Sequence, residues 1–251
     1  MMQRYFFEIA YDGTGFSGWQ NQDNALTIQG KIEGVMSQLF NQPMEILGCG
    51  RTDAGVHASQ YFFHSDINPD TFSEDELLFK LDNMIGSEIA FNKIIKVHEG
   101  AHARFDASAR AYRYHIGFAK DPFNRQYVYR LPKGENLDLA TLNQAANLLR
   151  SYKSFFPFCK TNSDVNNYDC ELFQSQWKVD GTGLVYHIEA NRFLRGMVRL
   201  IVGMCINVSF GKTSLDDIKI ALDKQERIPH AWSVPASGLF LDKIKYPYIN
   251  E

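Results

Sequence analysis

The sequence predicts an α+β protein in two halves, with antiparallel-rich sheets and helices on one side. Three observations carry that prediction. The chain has 251 residues, long for one domain and ordinary for two. Strand-like and helix-like patterns follow one another as β-α-β-β-α-β, the ferredoxin-like order, through the first half. A second round of the same element types begins near Ala109. The join is placed near Arg104–Ala109, giving halves 1–106 and 107–251.

Each element has a local reason. "RYFFEIAY" (Arg4–Tyr11) is aromatic and β-branched and runs into the glycine cluster "DGTGFSG", as a strand entering a loop does. Thr27 can cap a helix whose apolar positions are Ile28, Ile32, Val35, Met36, Leu39 and Phe40. "MEILGCG" (Met44–Gly50) and "SQYFFHSD" (Ser59–Asp66) read as strands. Ser73 and Glu76 form a capping-box pattern ahead of Leu77, Leu78, Leu81 and Met84. "IAFNKIIKVHEG" (Ile89–Gly100) is a strand ending in a turn, and "ARAYRYHIGF" (Ala109–Phe118) opens the second round. Asp138 precedes a helix carrying Leu139, Leu142, Ala145, Ala146 and Leu149. "CELFQSQWKVDG" and "GLVYHIEANRF" meet at "DGTG", a hairpin signal. A helix follows over "LRGMVRLIVGMCINVSFG", a short one after Ser214, and a last strand over "GLFLDKIKY" (Gly238–Tyr246).

Composition narrows the function classes. The formal net charge of −3 gives no support to nucleic-acid binding by overall charge, while leaving a local basic groove open. The four cysteines, Cys49, Cys159, Cys170 and Cys205, form no C-x-x-C pair and suit a reduced interior. No secretory signal opens the chain, and "MVRLIVGMCINV" is too short to span a bilayer. A soluble, cytoplasmic protein is expected.

Five stretches invite a chemical reading. "HEGAH" (His98–His102) matches the H-E-x-x-H zinc pattern, which needs both histidines on one helix face. Its context is strand-like and Gly100 weakens a helix, so no metal is expected there. "DGTGFSGWQ" (Asp12–Gln20) lacks the G-x-G-x-x-G spacing of a nucleotide loop and reads better as a tight loop over Trp19. In "GRTDAGVHA", Arg51 and Asp53 lie between Gly50 and Gly55 just past a strand end, which fits a working loop or a surface ion pair. In "HARFDASARAYRY", Arg104, Phe105, Arg110, Tyr112, Arg113 and Tyr114 interleave cations with rings, as an RNA groove or a half-buried strand would. In "NRFLRGMVRLIVG", Arg199 stands among the apolar residues Leu194, Met197, Val198, Ile201 and Val202. It either snorkels to water or meets an interior carboxylate, for which Asp53 is the candidate.

Together "YDGTGFSGWQ", "GRTDAGVHA", "HARFDASARAYRY", "NRFLRGMVRLIVG" and "SGLFL" occur in the order found in the tRNA pseudouridine synthase A family, which the chain resembles from residue 5 to about 242. The resemblance implies two ferredoxin-like halves on an extended sheet with a central RNA-binding cleft. It implies a homodimer that isomerises uridine in the anticodon stem-loop of tRNA, without metal or cofactor. It assigns Asp53 as the catalytic carboxylate, Arg199 as its partner, and Tyr112 and Leu239 to the two sides of the base. Arg51 is assigned to base flipping. Ala101, His102, Ala103, Arg104, Phe105 and Arg110 are assigned to RNA contact. Two stretches depart from the pattern: Ala111 follows Arg110 where a second arginine is common, and "FFPFCKTNSDVNN", with the loop 159–167, matches loosely. The rivals are a tRNA-binding chaperone without catalysis and a zinc hydrolase through "HEGAH".

Overall fold

The computed structural model describes residues 2–161 and 167–249. It divides into two compact units, Met1–Ser108 with Phe240–Glu251, and Ala109–Leu239.

The first unit contains β1 (Gln3–Tyr11), α1 (Ile28–Phe40), β2 (Leu47–Gly48), β3 (His57–Ile67), α2 (Glu74–Ile85) and β4 (Ile89–Lys96). β1 lies between β4 and β3, and all pairings among β1 to β4 are antiparallel. This is the ferredoxin-like arrangement read from the sequence. β1 is central, and its Tyr5, Phe6 and Phe7 are buried in succession. Phe7 stacks on Phe63 at 4.7 Å and 3°. Phe6 meets Phe62 and, edge-on at 5.1 Å, Tyr246. Successive positions of one strand thus enter two aromatic clusters, one on each face.

The helices start where their caps predict. Thr27 Oγ1 accepts from Gly30 N at 3.2 Å, and Ser73 Oγ accepts from Glu76 N. In α2 the buried residues are Leu77, Leu81 and Ile85, while Met84 is exposed. The inward stripe keeps a strict four-residue step, and Met84 falls off it. "MEILGCG" pairs as strand only over Leu47–Gly48.

The last strand, β9 (Leu239–Lys245), differs from the expected partition. Its His57↔Phe240 and Ala58↔Leu241 pairings with β3 are parallel, and the residues from Phe240 onward group with the first unit, not with Ala109–Leu239. A parallel neighbour cannot be reached by a hairpin and needs a long crossover. The whole second unit supplies it.

That unit runs β5 (Ala109–Gly117), β6 (Tyr129–Arg130), α3 (Leu139–Leu148), β7 (Leu172–Asp180), β8 (Gly183–Ala190), α4 (Met197–Ser209) and α5 (Leu215–Lys224). β8 pairs antiparallel with both β5 and β7. Asp180 faces Gly183 across a two-residue turn in which Gly181 has φ +54°, the backbone the hairpin signal demands. Asp138 caps α3, and Ser214 with Asp217 forms a full capping box on α5. α4 is buried on nearly every side. A Cβ on its Gly203 would lie 1.9 Å from the Trp232 carbonyl, so only glycine permits that backbone contact. β6 had no legible sequence signal because it is a two-residue pairing along Ile116–Gly117.

Candidate active site

Asp53 sits in the loop between β2 and β3, and the glycine loop after β1 is built to hold that loop. A Cβ on Gly13 would come within 2.1 Å of Val56 O, and one on Gly18 within 2.5 Å of Thr52 O. Gly18 also has φ +92°. The two loops are therefore in backbone contact, which is why "DGTGFSG" is glycine-rich without being a phosphate loop. Trp19 N donates to Thr52 O at 3.2 Å, and Gly55 N donates to Phe16 O at 3.3 Å. Gly55 has φ +74°, whereas a Cβ on Gly50 would meet open space. Of the two glycines flanking Asp53, the backbone requires Gly55.

Beneath the loops lies an aromatic floor. Trp19, buried as predicted, stacks on Tyr61 at 4.1 Å. Tyr61 OH donates to Gly50 O at 2.5 Å, and burial pushes its phenol well above the usual tyrosine range. Tyr11 OH and Thr52 Oγ1 share a buried hydrogen bond of 2.9 Å. Thr52 is thus fixed through both its side chain and its carbonyl, immediately before Asp53. On the other side, Val56 N donates to Asp53 O at 3.2 Å and closes the turn. His57 is buried, lies 3.0 Å from Asp12 Oδ1, accepts from Gly13 N and stacks on Phe240. Asp53 itself is half-buried and Arg51 is exposed.

The "AHARF" residues form a turn, not a helix. "HEGAH" therefore never presents its histidines one helical turn apart, and the zinc-peptidase geometry does not form. Ala101 and Ala103 are buried, and the segment is held from several directions. Ala103 N donates to His64 Nδ1 at 3.1 Å, and Tyr246 OH donates to Ala103 O at 2.6 Å. Arg4 donates to Ala101 O, and His102 N donates to Asp106 Oδ2. Tyr248 OH also reaches Asp106 Oδ2, at 2.7 Å. Burial, with the Arg4 cation nearby, lowers the His64 pKa to about 4 and keeps the ring a neutral acceptor. These anchors leave Arg104 and Phe105 exposed.

In the second unit, Arg110, Tyr112, Tyr114 and Ile116 alternate along β5 and share one face. Tyr114 and Ile116 are buried, and Tyr114 OH donates to Pro235 O at 2.8 Å. Burial raises the Tyr114 phenol, so it stays protonated. Tyr112 is half-buried, with Phe193 edge-on at 5.1 Å. Arg110 Nη1 donates to Asn191 O at 3.0 Å. Leu194, Met197, Val198, Ile201 and Val202 are buried, as the helical spacing predicts. Arg199 is half-buried in the first turn of α4, and its Nε donates to Val234 O at 2.6 Å. Leu239 is buried at the start of β9. The loop 159–167 falls largely outside the described residues.

Sequence reasoning missed Tyr11, Thr52 and Tyr61, which hold the Asp53 loop, and His64 and Tyr246, which hold the turn at Ala103. Their one signal is that Tyr11 and Thr52 lie inside the two glycine-flanked motifs.

The family model for tRNA pseudouridine synthase matches residues 152–247, the stretch that contains Arg199 and Leu239. Full-length relatives extend the match over the Asp53 loop. The tRNA pseudouridine synthase A of Bacteroides fragilis is 40% identical over 98% of this chain and 97% of its own length. That of Parabacteroides distasonis is 39% identical over 98% and 97%. That of Dictyoglomus thermophilum is 36% identical over 95% and 98%. Identity at that level along the whole length, through both glycine-flanked loops and the Arg199 helix, makes this chain a member of the tRNA pseudouridine synthase A family.

Proposed function

We infer that this protein is an isomerase that converts uridine to pseudouridine in tRNA. The observation that carries the reading is near-full-length identity to relatives of that name, through a loop whose backbone is fixed on both sides of Asp53. In the reaction the N1–C1′ bond breaks and a C5–C1′ bond forms. The hydrogen lost from C5 is balanced by one gained at N1, so no oxidant or group donor is consumed. A carboxylate can serve as nucleophile toward the sugar or base, or as base toward a sugar proton. Asp53 takes that role in this proposal, and the family resemblance assigns Arg199 as its partner. Tyr112 and Leu239 flank the target base, and Arg51 fills the stack it leaves. Arg104, Phe105, His102 and Arg110 contact the RNA backbone and loop nucleotides, while Ala101 and Ala103, both buried, hold the turn that presents the first three.

The anticodon arm as target, a homodimer and a cytoplasmic location belong to the same proposal and rest on the family resemblance. Among the described residues no helix is long and apolar enough to cross a membrane.

The test is pseudouridine mapping on unmodified tRNA with uridines in the anticodon arm, using wild type and Asp53→Ala. Wild type converts those uridines without added nucleotide. Asp53→Ala loses activity by about 10³-fold or more and still binds. Binding without conversion by wild type would favour the non-catalytic reading. Full activity in Asp53→Ala would remove Asp53 from the chemistry.

A further inference from the structure

The second unit holds a cavity of about 520 Å³, lined by Asn207 from α4, Lys212 from the turn after it, and His230 and Trp232 from the loop ahead of β9. That loop lies along α4 and is pinned to it in three steps. Asn207 Nδ2 donates to His230 O at 2.9 Å, the Trp232 carbonyl abuts Gly203, and Val234 and Arg199 exchange two hydrogen bonds. Both walls are therefore set before anything binds. His230 has φ +56°, a backbone that a non-glycine residue adopts at a cost, and its carbonyl is the one that Asn207 meets. That contact fixes the amide, because only the nitrogen of an asparagine side chain can donate to a carbonyl. Asn207 is 5% exposed. Its Oδ1 accepts from no described residue, and the cavity is where the side chain opens to solvent. The cavity thus contains a buried, oriented acceptor whose desolvation only a donor entering the cavity can offset. Lys212 is exposed, and the half-buried Trp232 ring is braced edge-on by Tyr129 at 6.1 Å.

We propose that this cavity binds a free mononucleotide whose base carries an exocyclic amine, the class of adenosine 5′-monophosphate. Each wall group answers one part of such a ligand. The Trp232 indole offers a face for the base, Asn207 Oδ1 accepts from the amine, and the Lys212 ammonium meets the phosphate. The His230 imidazole adds a further polar contact. The volume lies within the roughly 300–1,000 Å³ typical of small-molecule sites. Charge argues for a single nucleotide over a strand. Among the described residues lining the cavity, Lys212 is the one permanent cation, enough for one phosphate. From Lys212 to His230 the chain carries four Lys and Arg against four Asp and Glu, so this stretch offers a polyanion no basic track. The site is separate from Arg199. Asn207 lies eight residues further along α4, about 12 Å at the helical rise per residue. The proposal stands whatever Asp53 does.

The test is equilibrium dialysis of the whole protein against three probes: adenosine 5′-monophosphate, adenosine, and purine riboside 5′-monophosphate, which lacks the amine. The first binds saturably, at one site per chain. Losing the amine weakens binding about ten-fold, because Asn207 Oδ1 is then covered without a donor. Losing the phosphate costs about ten-fold or more. Lys212→Ala, a change at an exposed side chain, reproduces that loss for the monophosphate and leaves adenosine binding as it was. Binding of the monophosphate persists with unmodified tRNA at saturation. Equal affinity for all three probes, or a monophosphate affinity that Lys212→Ala does not change, overturns the site. Displacement of the nucleotide by tRNA also overturns it and gives the cavity to the RNA surface. No saturable binding at millimolar nucleotide ends the proposal outright. The readout is nucleotide affinity, so none of these outcomes depends on conversion of uridine.

Discussion

The Asp53 loop and the Arg104 segment belong to the same unit and are held in opposite ways. The Asp53 loop is gripped mainly by backbone, with two phenol hydroxyls, Tyr11 on Thr52 and Tyr61 on Gly50, adding side-chain bonds. Glycine carbons abut Thr52 and Val56 carbonyls, and the supporting rings of Trp19 and Tyr61 carry no charge at neutral pH. The Arg104 segment is gripped by side chains, with His64, Arg4, Asp106, Tyr246 and Tyr248 each giving one hydrogen bond or ion-dipole contact. Steric fixation tolerates no extra atom but ignores pH. Side-chain fixation tolerates local change but titrates. In the proposed function this contrast joins an unyielding loop for chemistry to an adjustable segment for RNA contact.

The sharpest way to break the contrast is to add one carbon. Gly18→Ala puts a methyl group 2.5 Å from Thr52 O in a backbone with φ +92°. The expected cost is about 2–3 kcal/mol of stability. Single-turnover rate should fall on the order of 100-fold through misplacement of the loop. A melt with normal midpoint and a normal rate would show that the two loops are not mechanically joined.

The second test is pH. His64 has a folded pKa of about 4, below the roughly 6.5 of an unfolded histidine. Between those values the unfolded chain binds the extra proton, so the stability His64 contributes is complete above about 6.5 and is lost as pH falls through 4. The groups around the ring are Arg4, His102, Asp66 and Asp106. His64→Asn keeps an acceptor for Ala103 N and does not titrate. Melting curves of the two proteins should converge on their acid limb less steeply for the variant. Identical slopes would place the acid sensitivity elsewhere.

A finer test concerns the hydroxyl pair before Asp53. Thr52→Val removes the bond to Tyr11 at nearly constant volume and should cost about 1 kcal/mol. The rate on bound tRNA should drop roughly ten-fold, with Thr52→Ser recovering most of it. Tyr11→Phe should do the same, and the double variant no more than either alone. Additive losses would mean the two hydroxyls act separately. The smallest effect belongs to Tyr246→Phe, which removes the 2.6 Å bond to Ala103 O. Affinity for tRNA should fall a few-fold, about 1 kcal/mol or less, with the rate on bound tRNA unchanged. A fall in rate instead would tie the Arg104 segment to the chemistry.

Much of the fold was legible because its signals are local. Caps at Thr27, Ser73, Asp138 and Ser214 and the Gly181 turn depend on neighbours within four residues. The site was legible as two glycine-flanked motifs, but their relation was not. Nothing in "DGTGFSG" announces that Gly13 and Gly18 exist to admit the carbonyls of Val56 and Thr52, some 40 residues away. The outward turn of Met84 and the parallel placement of β9 were equally hidden.

By itself the sequence determined the order of the main elements, the capped helix starts and the glycine-flanked motifs, since periodicity, capping and turn formation are short-range. Only the tertiary structure decided which loop buttresses which, that the last strand returns to β3, and that Asn207 and Trp232 line one cavity. Those depend on contacts between residues distant in the chain, and a contact of that kind leaves no periodic or local trace in either partner.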